Sequence, residues 1–85
     1  MEQINVTDTA KSEQVRRIVA DTLFMPLEEI GEDASQDTLR NWDSLQQLNL
    51  VLALEQTFNV RFKPEEFAVM TSVEKILKQL GLKGA

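Results

Sequence analysis

The sequence contains neither cysteine nor histidine. Without cysteine the chain can form no disulfide and no thiolate metal site, and without histidine it has no imidazole ligand for zinc. The absence of histidine also removes the Ser-His pair that activates a serine nucleophile in many hydrolases. A serine of this chain is therefore better interpreted as a group that another protein modifies than as a catalyst.

Glycine, proline and long apolar runs are also scarce. The chain has 3 glycines and 2 prolines among 85 residues, and none of the glycines forms a glycine-rich phosphate loop. The longest apolar run is Leu50–Leu54, whereas about 20 residues are needed to cross a bilayer. The N-terminus does not have the positively charged region followed by a hydrophobic region that is typical of a signal peptide. We therefore expect a cytoplasmic protein that does not contact membranes. A single domain of this length has little room for an enclosed cleft, and we expect it not to be an enzyme.

The acidic residues are concentrated in one segment. The formal net charge is −5, and residues 28–43 hold six acids against one base, while the remaining residues hold eight of each. This segment would attract a basic partner and repel nucleic acid, although a solvated acidic loop has the same composition. An EF-hand started at Asp33 places Thr38 where glycine is needed and Ser44 where glutamate is needed. We therefore predict no specific metal site.

The first helix is predicted from about Ser12 to near Phe24. Its apolar residues recur at helical spacing, at Val15, Ile18, Val19 and Leu23. Pro26 ends the helix, because the residue before a proline is pushed out of the helical conformation. Residues 1–11 show no sustained period, so they are predicted to be a flexible N-terminal segment.

The connection that follows, residues 26–43, is long for a helical bundle, where loops usually have two to eight residues. One explanation is a function located in the loop. The other is that three apolar residues pin the loop to the core, with one short helical turn over residues 26–30; these residues are Leu27, Ile30 and Leu39. The two explanations are compatible.

The second helix is predicted from about Leu45 to Thr57. Ser44 can be its N-cap, and Gln47 completes an S-x-x-Q capping box. A helix start carries partial positive charge and unpaired N–H groups, which makes it a suitable seat for a phosphate ester. Apolar residues cover most of the circumference, so some of them must be either surrounded or exposed. They form two flanks, Val51, Leu54 and Phe58 on one and Leu45, Leu48 and Leu52 on the other. Only one of the two flanks can face the core directly.

Two shorter segments precede the last helix. Residues 59–62 are predicted to be extended, with Val60 and Phe62 turned inward. Pro64 opens a short helix, because proline is favoured at the first helical position. Thr71 then begins a T-x-x-E capping box for the last helix.

The last helix is predicted to end at Gly81, a suitable residue after a helix C-terminus. The sequence therefore predicts an all-α four-helix bundle with three longer helices, one short helix and a long first loop. Its domain is predicted to span residues 12–81, and residues 82–85 form a C-terminal tail.

One stretch of the chain has the residues of a known motif. It begins Asp43-Ser44-Leu45, continues Leu48-x-Leu50-Val51-x-Ala53-Leu54-Glu55, and is followed by Phe58. This stretch resembles the acyl carrier protein family. It is similar to the modification site and second helix of those phosphopantetheine-binding four-helix bundles, and the resemblance covers about residues 12–80. The resemblance implies that Ser44 carries 4′-phosphopantetheine through a phosphodiester. It also implies that the chain holds acyl intermediates as thioesters, in fatty acid or polyketide biosynthesis, and delivers them to partner enzymes.

The same resemblance implies roles for neighbouring residues. Asp43 would help a phosphopantetheinyl transferase (holo-ACP synthase) orient metal-bound coenzyme A, and Leu45 completes the attachment motif with Ser44. The implied partner-binding residues are Leu45, Leu48, Asn49, Leu52 and Glu55. Besides the transferase, the expected partners are acyl-transferring and acyl-modifying enzymes with basic docking patches, bound by a monomer. The alternative for each leucine is burial against the long loop, and Trp42 is either a core anchor or a partner contact.

The match departs from the family at three positions of the second helix. Carriers of general fatty acid synthesis commonly have acids there, whereas this chain has Gln46, Gln47 and Asn49. The departure favours a specialised pathway. An alternative of another class is an unmodified helical interaction module that keeps the fold and binds a partner through the second helix.

Overall fold

Over residues 2–85 the fold consists of four α-helices and one 3-10 turn. The computed structural model describes the backbone of residues 2–85 and the side chains from Ala10 onward. The helices are α1 (Glu2–Leu23), α2 (Ser44–Phe58), α3 (Pro64–Val69) and α4 (Val73–Leu82), and the 3-10 turn is Leu27–Glu29. The predicted all-α class is confirmed, with three longer helices, one short helix and a long first loop. Across the residues described, no helix combines the length and the apolarity that a membrane crossing needs.

α1, α2 and α4 pack around one core. Each contributes fully buried side chains from one face, which are Val15 and Val19 of α1, Leu50, Val51 and Leu54 of α2, and Val73, Ile76 and Leu80 of α4. Burial of one such side chain stabilises the fold by about 1.5–3 kcal/mol. The buried face of α2 fixes the rotation of that helix, so its opposite face is left towards solvent.

The first helix begins earlier than predicted. Its backbone is helical from Glu2, whereas the apolar period indicated a start near Ser12. Once a helix has formed, each further residue adds a hydrogen bond even where no apolar stripe continues. The predicted end is confirmed, because α1 ends at Leu23. The flexible segment predicted at 1–11 falls largely on residues whose side chains lie outside the described part of the chain, so the domain boundaries remain predictions.

The two ends predicted for the last helix are both wrong. Its N-cap is Ser72, whose Oγ accepts a hydrogen bond from the Lys75 N–H at 3.1 Å. Thr71 cannot take that role because its carbonyl accepts the Gln36 N–H at 2.9 Å and ties it to the long loop. α4 also runs through Gly81 to Leu82. The left-handed residue that follows the helix is Gly84, with a φ of 78°.

The long loop is attached to the bundle along its length. As predicted, Ile30 is buried and Leu39 packs against the core. An isolated antiparallel bridge joins Ser35 to Ser72, and the Arg16 guanidinium donates to the Ile30 carbonyl at 3.0 Å. The start of α2 is therefore held in one place by a loop that is itself held.

The segment between α2 and α3 is extended, with Val60 and Phe62 packed inward as predicted. The Phe62 N–H donates to the Glu55 carboxylate at 2.8 Å. Pro64 is the first residue of α3, as predicted. The Glu66 carboxylate accepts the Lys63 N–H at 2.7 Å, which caps this short helix.

Candidate functional site

Ser44 is the first residue of α2, and its side chain is exposed. The N-cap of the helix is Asp43, whose Oδ1 accepts the Gln46 N–H at 2.9 Å. The prediction that Ser44 caps α2 is therefore wrong by one residue. Asp43 takes the role because its backbone is still extended, with φ −102° and ψ −172°, which is the conformation of an N-cap residue. The Ser44 hydroxyl is left without a structural task in the described part of the fold.

The amides around Ser44 suit an anionic group. The Gln46 and Gln47 N–H groups both bond to Asp43, to its carboxylate and its carbonyl. Among the described backbone atoms and the side chains from Ala10 onward, no protein acceptor is found for the two earlier amides, those of Ser44 and Leu45. Free N–H groups at a helix start attract phosphate, and the helix dipole adds to that attraction. A phosphodiester on the Ser44 hydroxyl would lie next to both amides.

Gln47 connects three parts of the chain, and the capping box predicted for it is absent. Its Oε1 accepts the indole N–H of Trp42 at 2.6 Å. Its Nε2 donates to the carbonyls of Phe67 and Met70 at 2.9 and 2.8 Å. Trp42 is only 2% exposed, so the prediction that it anchors the loop in the core is confirmed. Gln47 thus joins the start of α2 to the loop before it and to the end of α3.

A groove of ≈ 310 Å³ adjoins the hydroxyl, lined by Gln36, Ser44, Gln47, Pro64, Phe67, Ala68 and Thr71. Its walls combine apolar surface from α3 with amide and hydroxyl groups from the loop and α2. Such a mixture matches a ligand that alternates methylene and amide groups. Sequence reasoning missed the α3 residues of this groove, because nothing in their local pattern indicates that they lie beside Ser44.

The outer face of α2 carries exposed leucines next to the attachment motif. Leu45 is 65% exposed, and Leu48 and Leu52 are each 46% exposed. Asn49 lies on the same exposed side. These values rule out burial of the three leucines against the loop, which was the alternative interpretation. Their binding of partners remains a prediction.

Glu55, the last predicted partner residue, differs from the leucines. It is half-buried, and one of its carboxylate oxygens accepts the Phe62 N–H. The side chain therefore has a structural task, which the sequence pattern did not indicate. Its predicted role in docking is untested.

The acids of the loop face solvent, as an encounter surface requires. Glu28, Glu29, Glu32, Asp33 and Asp37 are all exposed. In contrast, the first turn of α2 contains no acidic residue. Among the described side chains, no group of three or more potential ligands is arranged to hold a metal ion. The negative charge therefore lies before the attachment motif and leaves the outer face of α2 apolar and neutral.

Comparison with known proteins gives one family match and three similar relatives, which agree with one another. The family model described as the phosphopantetheine attachment site matches residues 13–80. An acyl carrier protein of Thermosynechococcus vestitus is 37% identical over 65 residues, which cover 76% of this chain and 80% of that protein. An acyl carrier protein of Petrotoga mobilis is 34% identical over 71 residues, or 84% of each chain. The polyketide-8 synthase acyl carrier protein 2 of Streptomyces avermitilis is 32% identical over 68 residues, which cover 80% of this chain and 78% of that protein.

Proposed function

Because the chain belongs to the acyl carrier protein family, we propose that Ser44 receives 4′-phosphopantetheine and that acyl thioesters on this arm are delivered to partner enzymes. Proteins of the family are carriers and not catalysts, and phosphopantetheine is their prosthetic group. The arm supplies the thiol that this cysteine-free chain lacks. Partner enzymes then carry out the chemistry on the cargo.

The observation that carries the proposal is the exposed Ser44 hydroxyl at the start of α2, with the capping task taken by Asp43. A hydroxyl used as a cap would have one lone pair engaged and its direction fixed by the helix start. In this chain the modifying enzyme can reach the oxygen while the helix start stays intact. The nearby amides of Ser44 and Leu45 then stabilise the new phosphodiester.

The attachment reaction needs only the hydroxyl from this chain. The Ser44 oxygen attacks the phosphorus of coenzyme A that bears pantetheine and forms a new P–O bond. The bond between the two phosphates breaks, and adenosine 3′,5′-bisphosphate leaves. The hydroxyl proton passes to a base of the transferase, since no residue of this chain offers a histidine for that role. We expect the exposed carboxylate of Asp43 to assist by helping the transferase orient the metal-bound diphosphate.

The test is the intact mass after incubation with coenzyme A and a phosphopantetheinyl transferase. We expect the wild type to gain one phosphopantetheine and Ser44→Ala to gain none. Thr57→Ala removes an exposed hydroxyl at the other end of α2 and serves as the matched control. A wild-type chain that gains no mass would support the unmodified interaction module instead.

The groove beside Ser44 offers a resting place for the arm. Pro64, Phe67 and Ala68 can pack against its methylene groups, and Gln36 and Thr71 can bond to its amides. The deeper core is closed, because Leu50, Leu54 and Ile76 are fully buried. We therefore propose that the arm and a short cargo lie along the surface between α2 and α3.

The neutral outer face of α2 supports a specialised pathway. Partners of general fatty acid synthesis would find no acidic residue in the first turn of this helix. We expect the loaded protein to be a poor substrate in a reconstituted fatty acid elongation assay. The double variant Gln46→Glu with Asn49→Glu should improve elongation if charge is the missing feature. Wild-type elongation at the rate of a general carrier would contradict the specialised assignment.

A further inference from the structure

α1, α2 and α4 end in the same backbone motif. Each is followed by a residue with positive φ, namely Phe24 (59°), Asn59 (56°) and Gly84 (78°). In each, the next N–H donates to the carbonyl five residues earlier: Met25 to Ala20 at 3.0 Å, Val60 to Glu55 at 3.2 Å and Ala85 to Leu80 at 2.9 Å. This Schellman arrangement normally has glycine, or sometimes asparagine, in its left-handed position. α2 and α4 follow that preference and α1 does not.

Phenylalanine is poorly suited to this position. A bulky side chain in the left-handed region brings its Cβ close to the backbone, which glycine avoids and asparagine tolerates. The ring does not gain packing in return, because Phe24 is 88% exposed. The next residue, Met25, packs against the core instead. Neither local conformation nor core packing explains Phe24, and a residue that breaks a local rule without structural gain indicates a functional position.

The end of α1 next to Phe24 is linked by a hydrogen bond to the residues just before Ser44. The Asn41 side-chain amide donates to the Leu23 carbonyl at 3.3 Å, which joins the end of α1 to the residues just before α2. The chain also turns there, since the Asp43 N–H donates to the Asn41 carbonyl at 3.1 Å. Chain geometry then limits the distance between the Phe24 and Ser44 Cα atoms to about 20 Å. A protein interface of standard size is about 30 Å across, so an enzyme that docks on Ser44 can cover both residues.

The surroundings of Phe24 are acidic. Asp21 is exposed one turn before it in α1, and Glu28 and Glu29 are exposed in the 3-10 turn after it. Glu28 and Glu29 belong to the segment 28–43, which carries all of the excess negative charge of the chain. An exposed aromatic ring with a charged border has the composition of an interface hot spot. The partner that fits it has an apolar pocket bordered by lysine or arginine.

We propose that Phe24 is an aromatic anchor for the phosphopantetheinyl transferase that modifies Ser44, seated in an apolar pocket of that enzyme with basic side chains at its rim. The inference rests on the proposed function of Ser44. The Schellman hydrogen bonds hold the Phe24 backbone and direct its side chain outward. The ring is therefore already in solvent and can enter a pocket without leaving the core of this chain.

Rates of Ser44 modification and thermal unfolding together test this role. Phe24→Gly and Phe24→Asn remove the ring and relieve the left-handed backbone, so we expect a higher unfolding midpoint with kcat/KM lowered at least tenfold, mainly through KM. Phe24→Tyr keeps an aromatic ring and should stay within twofold of the wild type. Leu82→Ala removes another exposed apolar side chain, 72% exposed in α4, and should change neither quantity.

The possible results separate the explanations. A lower unfolding midpoint for Phe24→Gly would assign Phe24 to packing and overturn the proposal. Unchanged kcat/KM in both ring-free variants would also overturn the proposal. So would a sedimentation measurement in which the wild type is a dimer and Phe24→Gly is a monomer, because Phe24 would then contact a second copy of this chain. A wild type that the transferase does not modify at all would reject the carrier function itself, which is a different observation from equal rates in all variants.

Discussion

The hydrogen bonds of Gln47 allow the most detailed prediction. Gln47→Leu keeps the approximate size of the side chain but removes its bonds to the Trp42 indole and to the carbonyls of Phe67 and Met70. The indole N–H would then be buried without a partner, which costs about 1–3 kcal/mol. Each lost bond to a carbonyl adds about 0.5–1.5 kcal/mol, less where water can replace the amide. We therefore expect the free energy of unfolding to fall by about 2–4 kcal/mol, a large share of the roughly 4–13 kcal/mol expected for a domain of this size.

Urea unfolding measures this change, followed by circular dichroism and by the fluorescence of Trp42, the only tryptophan. Gln46→Leu is the matched control, because it places the same side chain one residue away. Among the described side chains, Gln46 accepts only an exposed bond from Asn49 at 3.2 Å. The loss of this bond should change the free energy of unfolding by less than about 0.5 kcal/mol. Equal stability of Gln47→Leu and the wild type would refute the reasoning, since the indole N–H would then have found another partner.

Two further predictions concern helix ends. Asp43→Ala should lower the free energy of unfolding by about 1 kcal/mol through loss of the α2 cap. Ser44→Ala should change it by less than about 0.5 kcal/mol. Thermal unfolding of the two variants measures this difference, and a larger loss for Ser44→Ala would return the capping role to Ser44. The second prediction is a pH dependence at α3, where the Lys83 side chain and then the Lys63 N–H lower the pKa of Glu66 below its ordinary value of 4.5. Because the folded pKa is depressed, this stabilisation is present above pH 4.5 and is lost as the pH falls through the folded pKa. Glu66→Gln should therefore be less stable than the wild type at pH 6, and the difference in stability should shrink by pH 3. The urea unfolding midpoints of the two proteins measure this difference. An equal difference at both pH values would contradict the predicted pH dependence.

The site could be located from sequence with an accuracy of one residue. Asp43 and Ser44 are both good capping residues, and only the extended backbone of Asp43 decides between them. That decision matters, because it leaves the Ser44 hydroxyl without a capping bond in the part of the chain that the structure describes. The same applies to Thr71 and Ser72, where the bond from Gln36 to the Thr71 carbonyl leaves the cap to Ser72.

Other features of the site depend on contacts that are distant in sequence. The role of Gln47 requires the carbonyls of Phe67 and Met70, which follow it by 20 and 23 residues. The groove beside Ser44 likewise needs α3 to lie next to α2. The left-handed conformation of Phe24 was not predicted either, because the Pro26 signal indicates where α1 stops but not how it stops.

The sequence by itself determined the all-α class, the order and approximate ends of the helices, and the apolar faces of α2, because helical periodicity and capping preferences are local properties. Only the tertiary structure decided which flank of α2 is exposed, which residue caps it and what surrounds Ser44. Those outcomes depend on how α1, α3, α4 and the long loop pack against α2. Packing of this kind joins residues that are far apart in the chain, and no local pattern encodes it.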